Sequence, residues 1–190
     1  MESGAAATSA RTLGLLGAIS GAGAWLAVMV LDRLGIPAAS DVGGLQLGPV
    51  TIVPGVAFGA IVGSRFLARS RLVAYVVAST AAYLLAYHVA YMLGAIMRLD
   101  TIVLLAIDGV VAGLCGSVLL AAFTIALRHV ARSALRLSIV VGAAAGALLP
   151  FATMGDWGGL AVGPLVFFVI WQGAYAAALA HAARPVHAIG

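Results

Sequence analysis

Two ionisable residues stand inside stretches of this 190-residue sequence that are otherwise almost wholly apolar. Asp108 is the single acidic residue within any of the long apolar segments, and His88 lies in the segment before it. The two segments share the short connection Arg98 to Asp100. At 1.5 Å of helical rise per residue, Asp108 falls about 10 Å and His88 about 13 Å from the boundary at that connection. A histidine–carboxylate pair at matched depth is geometrically possible. Ionisable groups inside a membrane span are costly unless paired or hydrated, which makes them functional candidates, although a buried pair could equally lock two helices together. Around the same depth, Tyr83, Tyr87 and Tyr91 recur every four residues and form a stripe on one helix face. Trp25 with Met29, and Trp171 with Gln172, stand in the first and last apolar segments. If these converge, they make an aromatic-walled cavity with a few polar anchors, the usual form of a small-molecule site. The candidate substrate-binding set is His88, Asp108, Tyr87, Tyr91, Trp25 and Gln172, and each aromatic would also serve as simple filling for a helical core.

Sharper chemistries fail on residue type or spacing. A bis-histidine haem lacks a second ligand, because His129, His181 and His187 fall at or beyond the opposite ends of their segments. A serine nucleophile needs a base within hydrogen-bond reach. Ser117 lies about 24 Å from the boundary, some 10 Å deeper than His88, and Ser20 and Ser79 belong to the same far half. The stretch Gly17-Ala18-Ile19-Ser20-Gly21-Ala22 loosely resembles the glycine-serine-glycine motif of rhomboid proteases, but it lies in the first segment and has no histidine level with it. Zinc would need a third ligand beside His88 and Asp108. The sequence contains no lysine, which excludes a phosphate loop of the glycine-lysine type and a retinal Schiff base. The single cysteine, Cys115, excludes a disulfide framework or a cysteine-based metal site and reads as a small buried residue. No cofactor and no metal are expected.

The elements that must position these residues follow from composition. Hydrophobic residues make up 64% of the chain and charged residues 8%, with mean hydropathy +1.16. Water-soluble domains carry about 25% charged residues, so the expected solvent is lipid. The fold class expected is all-α, a polytopic membrane protein built as a six-helix transmembrane bundle. The segments run at about 12–31, 49–64, 72–97, 101–127, 137–155 and 160–181 within one domain, 12–182. Tails of 1–11 and 183–190 flank it. The first segment is too long for a signal-peptide core and reads as a retained helix. The second is the shortest and contains Pro54 beside Gly55, which predicts a kink.

All ten basic residues are arginines, and their placement sets the topology. Arg11, Arg65, Arg69, Arg71, Arg128, Arg132, Arg136 and Arg184 fall in alternate connections and at the two ends. On the other side Arg33 and Arg98 each have an aspartate nearby, with Asp41 and Asp156 in the remaining loops. The positive-inside rule then puts the arginine-rich side and both termini in the cytoplasm. Together with an Ala-, Gly- and Arg-rich composition, this suggests a bacterial cytoplasmic membrane. The basic residues form no run interleaved with aromatics, so no nucleic-acid partner is expected.

Small residues recur four apart: Gly17 and Gly21, then Gly55, Gly59 and Gly63, then Gly109 and Gly113, and finally Gly142 and Gly146. That spacing lets helix backbones approach closely. It predicts internal packing first, and second a face for another membrane subunit or a second copy. Gly43-Gly44-Leu45-Gln46-Leu47-Gly48-Pro49-Val50 also resembles Gly158-Gly159-Leu160-Ala161-Val162-Gly163-Pro164-Leu165. The upstream stretches Gly17 to Ala22 and Gly142 to Ala147 echo each other too. The first and last hairpins could therefore be parallel repeats of the sort found in transporters.

In size and layout the chain resembles the substrate-binding subunits of energy-coupling-factor vitamin transporters. Ala18 and Ala22, four apart on the first helix, would match the alanine-rich face through which those subunits dock a partner. The resemblance implies six helices and a solute-binding role. Three functions are consistent with the residues. The first is a small-solute transport or substrate-binding subunit with its cavity in the outer half of the bilayer. The second is a non-catalytic accessory or assembly subunit of a larger membrane complex. The third, an intramembrane enzyme with His88 as base and Asp108 orienting it, lacks a visible nucleophile.

Overall fold

A computed structural model of the chain describes residues 9–97, 101–128, 135–153 and 162–182. Among these the fold is helical, in the order α1 (Ala10–Arg33), a hairpin of β1 (Ser40–Val42) and β2 (Leu45–Leu47), α2 (Pro49–Phe66), α3 (Arg69–Met97), α4 (Ile102–Arg128), α5 (Arg136–Gly146), α6 (Leu149–Thr153) and α7 (Val162–Ala182). Four of the helices, α1, α3, α4 and α7, are long and apolar enough to cross a membrane. Helices α2 and α5 are apolar but shorter.

Local chemistry explains the element ends. Ser9 caps α1 by accepting from the Thr12 amide at 3.1 Å. At the other end of α1, Gly35 adopts φ +83°. Its amide and that of Ile36 reach the Asp32 and Leu31 carbonyls at 3.0 Å, a closing geometry that favours glycine. The turn of the hairpin is Gly43-Gly44, with φ +63° and +85°. A two-residue β-hairpin turn of type I′ needs positive φ at both positions. Asp41 Oδ1 steadies it by accepting from the Gly44 amide at 2.9 Å. This hairpin is absent from the all-helical expectation, because three-residue strands carry no measurable period.

The expected fifth segment, 137–155, is not one helix. It breaks after Gly146 and resumes at Leu149 for a single short helix. Pro150 supplies the reason: it lacks an amide hydrogen, and in a continuous helix its ring would press on the carbonyl of Gly146.

Packing is sequential and antiparallel, with α1 closing against α7, so the six larger helices form a ring. Lipid tails are as apolar as leucine, so association rests on close packing and hydrogen bonds rather than on a hydrophobic drive. The glycines supply the packing. A Cβ on Gly17 would overlap the Gln172 carbonyl, and one on Gly21 the Phe168 carbonyl, at the α1–α7 contact. Gly55, Gly59 and Gly63 meet Thr80, Ser79 and Tyr75 between α2 and α3. Gly109 and Gly146 face each other carbonyl to α-carbon between α4 and α5, and Gly113 lies against the Gly142 carbonyl. All nine glycines thus sit at contacts within the chain. The two echoed glycine pairs, Gly17 with Gly21 and Gly142 with Gly146, each face the preceding helix of the ring. In the second stretch of the other echo, Gly158 to Leu165, the residues Gly158 to Ala161 lie outside the described residues. So do Arg98, Asp100, His129, Arg132, Asp156, Arg184 and His187.

Hydrogen bonds cross the ring where glycine brings helices close. Ser79 Oγ donates to the Gly55 carbonyl at 2.6 Å, Trp171 Nε1 to Gly142 at 3.1 Å, and Tyr175 Oη to Ser117 at 3.4 Å. Arg71 donates to the Leu127 carbonyl at the end of α4. Toward the arginine-bearing end the interior is filled by Leu13, Phe58, Val62, Tyr75, Leu135 and Tyr175. The other end is not filled.

Candidate functional site

At the end of the ring that carries the β-hairpin, the six larger helices and α6 line an open cavity of about 320 Å³. Its lining is of two kinds. Trp25, Tyr83, Phe168 and Trp171 make a continuous series of aromatic rings, with successive ring centroids 5.8 Å apart from Trp25 to Phe168, Phe168 to Tyr83 and Tyr83 to Trp171. Much of the rest is small residues from α3, α4 and α5, chiefly Ala86, Ala90, Gly109, Ala112, Gly113 and Gly146, with Tyr87 and Phe167 as further rings. Leu149 and Ala152 of α6 add to the lining, so the break at Pro150 positions part of the site.

Helical spacing explains which side chains arrive. Residues at i, i+3, i+4 and i+7 share one helix face. On α3 that face is Tyr83, Ala86, Tyr87 and Ala90; on α7 it is Pro164, Phe167, Phe168 and Trp171. On α4 it begins at Gly109 and continues through Ala112 and Gly113. The floor is closed by the edge-on Tyr83–Trp171 contact and by Trp171 stacked on Tyr175 at 6.4 Å. The bond from Trp171 to Gly142 holds that ring in place.

The structure brings Trp25 and Tyr87 into the cavity and leaves four other candidates out of its lining. His88 is one residue, about 100° of helix rotation, from Tyr87. It turns to the hairpin, where Nε2 accepts from the Gln46 amide at 2.8 Å. The ring hydrogen is therefore on Nδ1, which donates to the Leu84 carbonyl at 2.8 Å. Both ring nitrogens are engaged, Nε2 with the hairpin and Nδ1 with the preceding turn of α3. Asp108 stands one residue before the cavity face of α4 and is 4% exposed, and its Oδ1 has no hydrogen-bond partner. No hydrogen bond or ion pair joins His88 and Asp108 among the described residues. Tyr91 lies on the Tyr87 side of α3 but is 44% exposed near its end.

Neither a family model, nor a curated protein, nor a solved structure matches this chain. The resemblance to vitamin-transporter subunits therefore rests on layout and on common small residues such as Ala18 and Ala22.

Gln172 is fully buried and serves as a cross-tie. It accepts from Ser20 Oγ of α1 at 2.6 Å and donates to the Pro54 carbonyl of α2 at 3.3 Å. Side-chain hydrogen bonds in membrane proteins contribute about 0.6 kcal/mol on average. Two of them predict that Gln172→Leu lowers unfolding stability by only about 1 kcal/mol, because Ser20 keeps its second bond to Gly17 at 2.7 Å. Denaturant titration of the purified variant checks this, and a loss above about 3 kcal/mol would mean that Gln172 does more than tie helices.

Sequence reasoning missed Phe167, Phe168 and the small residues of the lining. Phe167 and Phe168 stand one turn past Pro164, and the Gly109, Ala112, Gly113 face was visible as a stripe, but such stripes signal helix packing as readily as a cavity wall. Among the described residues no three His, Cys, Asp or Glu side chains cluster closely enough to hold a metal.

Proposed function

We propose that the chain is an integral membrane protein of six spans that binds a small solute in its aromatic-walled cavity, as a transporter or as the substrate-binding subunit of one. The observation that carries this reading is the cavity itself. Every helix of the ring lines it, and its volume lies at the small end of the roughly 300–1,000 Å³ typical of small-molecule sites. Helix α2 rises about 27 Å over its length, near the hydrocarbon thickness of about 30 Å. The α5–α6 pair covers a comparable stretch as two helices, a break that membrane proteins tolerate where it lines a cavity. Counting both as spans gives six.

The arginine asymmetry orients the bundle. Arg11, Arg65, Arg69, Arg71 and Arg136 belong to the end opposite the hairpin, which makes that end cytoplasmic and the cavity outward-facing. Cysteine labelling tests this orientation in a Cys115→Ser background. Val42→Cys, 57% exposed on the hairpin, is expected to react with an impermeant maleimide on intact cells. Ser70→Cys, exposed in the first turn of α3, is expected to react only after permeabilisation. The reverse pattern would overturn the orientation.

The binding role is tested by purifying the protein into lipid discs straight from membranes and identifying small molecules by mass spectrometry. A stoichiometric solute that is carried by the wild type and lost when Ala112 becomes leucine supports the reading. A wild-type protein that carries no solute and takes up none from a metabolite extract would count against it.

A further inference from the structure

Resting on the solute-binding reading, we infer that the cavity takes an uncharged, flat, ring-containing molecule of one or two rings. Three observations converge on this class. First, the lining combines a series of linked aromatic rings with a set of glycines and alanines. Ring faces and small residues both present surfaces of little relief, which a flat molecule can contact along its faces at the optimal carbon–carbon distance of about 3.5–4.0 Å. A branched or globular molecule of equal volume touches such surfaces at only a few points. The volume of about 320 Å³ accommodates one or two fused rings with small substituents.

Second, no lining side chain among the described residues carries a charge. Neither ionisable candidate is part of the lining. His88 is bonded at both ring nitrogens to Gln46 and Leu84, and Asp108 is not among the lining residues. A charged solute would surrender its hydration without gaining a counter-ion, a penalty that apolar burial does not repay.

Third, the lining residues that offer a hydroxyl are few and neutral, Tyr83 and Tyr87. The Trp171 indole N–H is already given to Gly142. Hydroxyls can donate or accept, so they suit one or two neutral oxygen or nitrogen atoms on the rim of a ring. The arrangement also differs from an aromatic cage for a quaternary ammonium, which surrounds a cation with ring faces. Here the four principal rings pack against one another as a single series.

The test uses the full chain in lipid discs with Trp157→Phe, so that Trp25 and Trp171 are the only tryptophan emitters. Four probes of similar size are titrated against their fluorescence: quinoline, its N-methyl cation, quinoline-2-carboxylate and the globular alcohol borneol. Quinoline is expected to bind at least about tenfold more tightly than each of the other three. Ala112→Leu and, separately, Ala152→Leu are each expected to weaken it by a similar factor. Equal or tighter binding of the cation, the anion or borneol, itself weakened by the same two substitutions, would overturn the ligand class and leave the binding site standing. Failure of all four probes, or binding indifferent to both substitutions, would overturn the class and the site together.

Discussion

Gly17→Val is expected to prevent the folded protein from accumulating, whereas Gly23→Val on the same helix is expected to be silent. The two positions are six residues apart in α1 and receive the same substitution. Their surroundings differ completely. At Gly17 the new Cβ would overlap the carbonyl of Gln172 and press on the Cβ of Ala176 at 2.7 Å, whereas at Gly23 nothing lies within 4 Å. Overpacking a core usually costs 1–3 kcal/mol because side chains rotate away from the intruder. Here the obstacle is helix backbone, so α1 and α7 must separate as units. The cost should reach at least about 3 kcal/mol, a large share of the stability of a small protein. Separation would also pull Ser20 from Gln172 and Gln172 from Pro54, which tie three helices at that level. At Gly23 the change should stay within about 0.5 kcal/mol. Size-exclusion profiles and denaturant titration of both variants measure the difference, and equal behaviour would mean that α1 does not pack on α7 as described.

Ala112→Leu should separate binding from stability by moving them in opposite directions. Ala112 is 6% exposed and lines the cavity from α4. Leucine adds three carbons that point into empty space, unlike a change at Gly109 or Gly113, which would strike α5. Filling a void gains dispersion contacts, so stability should hold or rise by about 1 kcal/mol. The solute meanwhile loses the volume it needs among the small residues and the aromatic rings. Binding is expected to fall at least about tenfold, equivalent to some 1.4 kcal/mol. A variant that merely damages the fold would lower both quantities together. Retained binding in a stable variant would place the solute elsewhere.

Much of the bundle could be read from the residues in order. Four helices, α1, α3, α4 and α7, lie within a few residues of the expected segments, because long apolar runs are bounded by arginine, glycine or proline. The glycines four apart were legible as close-packing sites before any partner helix was known. The break of the fifth segment was not read, because hydropathy alone draws 137–155 as one span, whereas the structure divides it into α5 and α6. Local pattern also brought Trp25 and Tyr87 forward as cavity residues, since large aromatics near one depth are few.

What the residues in order could not decide was direction around each helix. Moving one position turns a side chain by about 100°. That single step takes His88 off the face of Tyr87 and onto the hairpin, and keeps Asp108 off the face of Gly109. Matched spacing from the shared connection did not make His88 and Asp108 a pair. Gln172 shows the same limit: its polarity marked it for the site, while the closure of α1 against α7 made it a tie between helices. That closure joins elements from opposite ends of the chain, and no local period encodes it. The sequence by itself determined where the helices run and which stripes are small, aromatic or apolar. Only the tertiary structure decided which stripe meets which, and so where glycine closes the ring and where it leaves a cavity.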